Sequence, residues 1–332
     1  MGEVILRDLV VQRESKSFTD SLYAVLTAAG RFKGPKFMLS ALSGMAFIFS
    51  VHKRLLSFSV TAYGNWGTVH KRAAYSLGVY TASDGGRTRH PTFQHYQQEA
   101  VQWIKSSIDV GLGAIYWIPE FGVIHGYDDD DRIFYVQDGH ASESRILLYD
   151  NFGINCTPFW NAQIFGENIN IPAEDMALEA LRLALDEWES PYPVMPNQDI
   201  ASGRLAYAYL IQALEQGDYD EFGAMYILDT FRVSRKEIKL FLQEAVSLFP
   251  DLQDACLCYD KIADMTEGLD LWVVSGTDGR KVNRSDIPAL VAMLKEARDL
   301  EEQSMDIFKQ LSGRYPDLQR TTVPRWGLHT AR

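Results

Sequence analysis

Cysteine is scarce in this chain, with Cys156, Cys256 and Cys258 the three examples among 332 residues. An odd count that includes a Cys-x-Cys pair, too close for an ordinary disulfide, excludes a disulfide framework and favours free thiols. Cys256 and Cys258 are expected on a helix rather than in a zinc site. Long apolar runs are missing too. The best, Phe37 to Val51, is interrupted by Ser and Gly and falls short of the roughly 20 residues that span a bilayer. No basic segment leading into an apolar core and a small-residue cleavage site opens the chain, so no secretory signal is expected and the protein reads as soluble and cytoplasmic. Basic charge is in deficit as well. A net charge of -12 disfavours electrostatic capture of nucleic acid or anionic lipid.

Several motifs are lacking. No glycine-rich loop ends in Gly-Lys-Ser/Thr, so Asp84-Gly85-Gly86-Arg87 reads as a turn and no nucleotide site is assigned. The Asp128 to Asp131 run lacks the alternating oxygen ligands and distal Glu of a calcium loop and reads as a solvated hairpin turn. His90 and His95 flank a helix start without a carboxylate or thiolate at ligand spacing, which points to surface or capping roles. No metal and no cofactor is expected. Fixed-period repeats are absent, which excludes a solenoid.

What is present is an ordinary globular composition, 46% hydrophobic and 23% charged, long enough for two domains. In the first half, Thr19 to Ala29 reads as a short helix with Thr19 or Asp20 as cap, an apolar stripe of Leu22, Val25, Leu26 and Ala29, and Gly30 as C-cap. A second helix is expected over Thr92 to Val110, ended by Gly111. Short β-rich runs follow at Ala114 to Pro119, Gly122 to Tyr127, Arg132 to Gln137 and Arg145 to Asp150, the pattern of an antiparallel meander. Near Ile171-Pro172 the pattern turns helical. Helices are expected over Met176 to Glu189, Ile200 to Gln216, Tyr219 to Phe231, Arg235 to Phe249, Gln253 to Thr266 and Asp286 to Leu311, with breakers at Pro191, Pro193, Pro196, Gly217 and Pro250. The expected fold class is therefore α+β, with an α/β domain over 1–172 and a helical domain over 173–332.

Candidate chemistry begins at Thr19-Asp20-Ser21. A nucleophile in a helix's first turn gains roughly 0.3 to 1 kcal/mol of anion stabilisation from the macrodipole. Ser and Thr at such places are also ordinary caps. His125, in Val123-Ile124-His125-Gly126-Tyr127-Asp128, sits inside an apolar strand beside a glycine that admits close backbone approach. Asp138 ends the following run, where it could orient an imidazole on the neighbouring strand. A lone strand histidine is more often a satisfied core residue, and that reading stays open. His140 is either a loop residue or a neighbour of the site.

The order of these pieces, Asp20-Ser21-Leu22-Tyr23, then Leu42-Ser43-Gly44-Met45-Ala46-Phe47, then Trp103 through Ile118, then His125-Gly126-Tyr127-Asp128 and Val136-Gln137-Asp138, resembles the butirosin biosynthesis protein H amino-terminal-domain family. That family is similar to papain-like and bacteriocin-processing cysteine peptidases. Gly203-Arg204-Leu205-Ala206-Tyr207 in its helical context resembles the carboxy-terminal helical domain often fused to it. The resemblance implies acyl chemistry in which a helix-start cysteine attacks a thioester, ester or amide carbonyl. By position the nucleophile falls on Ser21, the base on His125 and the orienting acid on Asp138. Serine departs from that pattern. A thiol with pKa about 8.5 ionises readily beside an imidazole, whereas a hydroxyl needs concerted base catalysis. Gln12 is the nearest candidate for an oxyanion-hole Gln, at a spacing that looks too long. A working serine nucleophile, an introduced inactivating change and a natural loss of catalysis all stay open.

Two functions are thus carried forward. One is an acyltransferase or amide/thioester hydrolase, in a secondary-metabolite pathway, acting on a small-molecule, acyl-carrier or peptide substrate. The other is a catalytically inactive papain-like domain that binds a ligand or peptide in a cleft rimmed by Trp66, Tyr127 and Trp160. Oligomeric state stays open, a homodimer among the alternatives.

Overall fold

The computed structural model describes residues 2–141, 143–192, 198–276 and 279–317. In chain order its first elements are β1 (Val4–Ile5), α1 (Ser17–Ala28), α2 (Lys36–Leu42), β2 (Ser50–His52), α3 (Trp66–Ser76), β3 (Val79–Arg87) and α4 (Phe93–Asp109). Then follow β4 (Ala114–Trp117), β5 (Phe121–Asp128), β6 (Ile133–Gln137), β7 (Arg145–Leu148), β8 (Phe159–Asn168) and α5 (Ala173–Glu189). The last are β9 (Ile200–Ser202), α6 (Gly203–Gln216), α7 (Glu221–Ala245), α8 (Gln253–Glu267), β10 (Val273–Gly276), β11 (Gly279–Val282) and α9 (Ile287–Ser312). The fold is α+β. The expected breakers Pro193 and Pro196 lie outside the described residues.

These elements form an α+β unit, residues 2–39 and 67–170, and a helical unit, residues 40–66 and 171–317. The boundary near Ile171 agrees with the change of sequence pattern. The expected first domain, 1–172, is interrupted, because Ser40–Trp66 belongs with the helices. The reason is aromatic packing and one strand pair. Phe47 meets Phe241 and Phe308, Phe49 meets Tyr207 and Phe231, and β2 pairs antiparallel with β9.

In the α+β unit a seven-stranded antiparallel sheet runs β3-β8-β4-β5-β6-β7, with β1 added onto β5. Helix α4 covers one face. Its Ala100, Val101, Ile104 and Ile108 recur at helical spacing and pack with Ala114, Tyr116, Ile124, Phe134 and Ala162 in one core. At the end of α1, Gly30 takes φ 65° and the Arg31 amide reaches back to the Leu26 carbonyl at 2.8 Å, closing the helix as the glycine foretold. Asp84-Gly85-Gly86-Arg87 is not a free turn. It forms the end of β3, paired with β8 from Asp84↔Ala162 to Arg87↔Phe159. A Cβ at Gly85 would lie 2.8 Å from the Trp160 carbonyl, so the glycine permits a close strand approach.

In the helical unit, the two helices expected over 219–231 and 235–249 are one, α7. Nothing between Phe231 and Arg235 breaks a helix, and the buried Ser234 hydroxyl donates to the Thr230 carbonyl at 2.9 Å, within the same helix. Asp220 caps it, accepting from the Gly223 amide at 2.6 Å. The connection before α9 holds the β10–β11 hairpin. At the centre of this unit Glu301 accepts from Arg235 at 2.8 Å, Tyr207 at 2.6 Å and Tyr259 at 2.9 Å. The Arg235 guanidinium lies over the rings of Phe49 and Phe231. Burial opposes the charge on Arg235, yet Glu301 and the two tyrosines hold its pKa above the usual value. Among the described residues no helix is long and apolar enough to cross a membrane.

Candidate functional site

Helix α1 begins at Ser17, with Lys16 at its N-cap and no side-chain cap bond. Neither Thr19 nor Asp20 takes the expected capping place. Asp20 lies one turn inside the helix and folds back on the loop before it. Its carboxylate accepts from the Glu14 amide at 3.0 Å, from the Ser15 amide and hydroxyl at 3.0 Å each, and from Lys36 Nζ at 2.9 Å. The side chain is fully buried. Burial alone would lower the Lys36 pKa, but Asp20 and Glu14 raise it overall. The dominant job of Asp20 is to fasten residues 14–15 and Lys36 to the helix start.

Ser21 is the next residue and has no exposed surface. Its hydroxyl donates to the Phe121 carbonyl at 3.3 Å, at the first residue of β5. The same carbonyl accepts from Arg13 Nη2 at 2.9 Å, and that nitrogen also donates to the Asp138 carbonyl. Arg13 Nη1 lies 4.0 Å from the Asp20 carboxylate. The helix start, the beginning of β5 and the end of β6 are therefore tied through Arg13 and two backbone carbonyls. Phe121 itself belongs to an aromatic group. Phe18 stacks on His70 at 3.5 Å, and His70 and Trp117 meet Phe121 edge-on at 4.8 and 4.9 Å. Burial pushes the His70 pKa well below its ordinary value, so the ring is neutral near pH 7.

His125 occupies a β-bulge. The β5–β6 register runs Ile124↔Val136 and then Gly126↔Tyr135, leaving His125 without an opposite residue. Its Nε2 is 2.8 Å from the Ser144 hydroxyl, and its Nδ1 is buried without a hydrogen-bond partner. Burial lowers its pKa, opposed by the Leu6 backbone. Gly126 has the close approach its neighbourhood foretold, since a Cβ there would meet the Val4 carbonyl oxygen at 2.7 Å where β1 pairs. Asp138 follows β6, beyond the Val123↔Gln137 pair. Its carboxylate accepts from the His140 amide at 2.9 Å and pairs with Arg145 at 2.8 Å. Burial works against ionisation of Asp138, but the His140 amide and Arg145 outweigh it and lower the pKa.

The structure thus brings Ser21 and the Asp138 backbone together through Arg13, and leaves the His125 ring out of hydrogen-bonding contact with either side chain. Four residues, about 13 Å of extended chain, separate Phe121 from His125. Arg13, Phe121 and His70, the residues that surround Ser21, were not foreseen. Arg13 and Phe121 carry no motif, and His70 lies on a helix whose partners are 50 residues away in sequence.

Other expected members sit elsewhere. Tyr127 and Trp160 belong to the α4 core instead of a cleft rim, and Trp66 donates its indole N–H to the Thr61 carbonyl at 2.7 Å. Gln12 is exposed. Asp128 accepts from the amides of Asp130 and Asp131, the geometry of a turn. His90 Nδ1 is 2.7 Å from the Thr92 hydroxyl, beside the start of α4. Cys256 and Cys258 are free thiols on α8. Among the described residues no three His, Cys, Asp or Glu side chains converge in a way that would hold a metal ion. A cleft of about 540 Å³ lies in the helical unit, lined by α5, α6 and α9.

A comparison with protein-family models finds no match, and a comparison with curated proteins finds none.

Proposed function

We propose that this chain is a binding protein whose papain-like α+β unit performs no acyl transfer or hydrolysis, and that it works in the cytoplasm on a small-molecule or peptide ligand. One observation carries the reading. The Ser21 hydroxyl is buried and donated to a backbone carbonyl, while the His125 ring is engaged by Ser144 instead. A serine nucleophile needs a base within about 2.6 to 3.2 Å to take its proton, and a surface from which an acyl donor can approach. Burial as a donor to Phe121 satisfies neither requirement. Asp20, Arg13 and Lys36 around it stabilise the fold of the loop, which is a sufficient reason for their charges to be there. The acyl-transfer reading makes the opposite demand of the same residue.

Labelling separates the two. The native chain and a Ser21→Cys variant are treated with a fluorophosphonate and with iodoacetamide, and modified peptides are mapped by mass, since exposed Cys156 will react in both. The expected result is no fluorophosphonate adduct on Ser21 and no alkylation of position 21 in the folded variant. A fluorophosphonate adduct on Ser21, or rapid alkylation of the variant there, would establish an accessible nucleophile and overturn the proposal.

A further inference from the structure

The cleft of the helical unit owes its shape to Gly203. This residue starts α6 at φ 55°, and a Cβ on it would lie 2.3 Å from the Glu187 carbonyl oxygen and 2.7 Å from Trp188 Cα. Without a side chain, the first turn of α6 meets the last turn of α5 backbone to backbone. The helices then part over α9. The opening, about 540 Å³, falls within the roughly 300 to 1,000 Å³ of small-ligand sites. Its floor is apolar, with Leu185 and Trp188 from α5, Leu205 from α6 and Met305 from α9. The Trp188 ring is held edge-on against Tyr207 at 6.2 Å.

Charges line the walls, and most are already matched. Arg204 pairs with Glu302 at 3.0 Å between α6 and α9, and Lys309 pairs with Glu189 at 2.9 Å between α9 and α5. Two wall charges have no partner across the opening. Arg298 meets its own sequence neighbour, Asp299, at 2.7 Å, an exposed contact of the weak kind. Asp306 supports the charge of Lys309, one turn further along α9, and that lysine is already committed to Glu189. Arg298 and Asp306 both belong to α9 and both line the cleft. Eight residues at 1.5 Å of rise separate them by about 12 Å along the helix axis. The cleft is therefore an apolar trough with a cation, Arg298, towards one end and an anion, Asp306, towards the other, each contacting only its own helix.

We infer that the cleft binds an extended peptide of three to four residues with free termini. Such a chain spans about 10 to 14 Å. Its carboxylate meets Arg298, its ammonium meets Asp306, and an apolar side chain rests on Trp188, Leu205 and Met305. The guanidinium fork suits a carboxylate, and the trough excludes water from the apolar contact. This inference deepens the binding-protein reading by naming the ligand class. The two can fail separately, because a reactive Ser21 leaves the α9 cleft unchanged and an empty cleft leaves Ser21 unreactive.

The test is calorimetric titration of the full chain with the tetrapeptide Ala-Phe-Leu-Ala, free, N-acetylated or C-amidated. The free peptide should bind saturably, and each block should weaken binding by at least about tenfold. In Asp306→Asn acetylation should cease to matter, while amidation still does. In Arg298→Gln the pattern should reverse. Both positions are on the helix surface, and unchanged thermal unfolding of each variant secures that comparison. Absence of saturation up to about 10 mM, affinity indifferent to blocking, or variants that weaken free and blocked peptides equally would each overturn the inference.

Discussion

Two buried carboxylates, Asp20 in the α+β unit and Glu301 in the helical unit, solve the same physical problem differently. Asp20 is satisfied largely by its own neighbourhood, two amides and a hydroxyl within six residues of chain, with Lys36 added. Glu301 is satisfied by side chains alone, from α6, α7 and α8. The first organises a loop. The second ties four helices together and leaves no backbone to compensate if a partner is lost. A buried charge thus marks local order in one unit and global order in the other.

The largest expected effect breaks the helical network. Arg235→Met leaves Glu301 with two neutral donors and an uncompensated charge, and should cost about 3 to 5 kcal/mol in urea unfolding. Combining it with Glu301→Leu should recover part of that loss, since removing both charges removes the desolvation penalty. If the single change costs under about 1 kcal/mol, the network is not the tie it looks like.

Asp20→Asn should cost somewhat less, about 2 to 3 kcal/mol, because the amide oxygen keeps some of the accepted bonds and loses the charge. Its signature is local. Hydrogen exchange should accelerate at residues 13–16 before it does in β5. Uniform acceleration across the sheet would contradict the loop-anchor role.

Acid should separate the units next. His70 and His125 have folded pKa values below the ordinary 6.5, so the unfolded chain takes up protons first. Stability is complete above about pH 6.5 and falls as the pH drops below it, by about 1.4 kcal/mol per pH unit for each proton taken up. The helical unit has one histidine shifted in the same direction, His52, so its loss should be shallower. His70→Phe, which retains the stack on Phe18, should flatten the decline in the α+β unit when hydrogen exchange of β5 and α9 is followed between pH 7 and 5. An unchanged slope would remove His70 from the account.

Smallest of all is Ser21→Ala. Loss of one long hydrogen bond should cost about 1 kcal/mol, against the much larger consequence expected at Asp20. A bigger loss would mean that Ser21, and not Asp20, anchors the helix start.

Much of this comparison was legible in the chain. The α4 stripe, the meander β4 to β7, the helical second half and Gly30 as a terminator all follow from spacing and local chemistry over fewer than 20 residues. The pairing of β3 with β8 was not, because residues 79–87 and 159–168 lie far apart in sequence and Gly85-Gly86 looks like a turn until a partner strand covers it. The inclusion of 40–66 in the helical unit depended likewise on aromatic partners nearly 200 residues distant. At the candidate site, His125 and Asp138 were placed on a strand and a strand end, whereas Ser21, expected in a helix's first turn, lies beyond it because α1 already begins at Ser17.

The sequence by itself determined the α4 stripe, the β4 to β7 meander, the mainly helical second half and the change of pattern near Ile171. Tertiary structure alone decided that a bulge sets the His125 ring against Ser144, that Arg13 joins Phe121 to Asp138, and that Ser21 faces a carbonyl. The reason is range. Hydrophobic period and capping act between near neighbours, whereas a proton donor's partner is chosen by register and burial, which exist only once distant strands have paired.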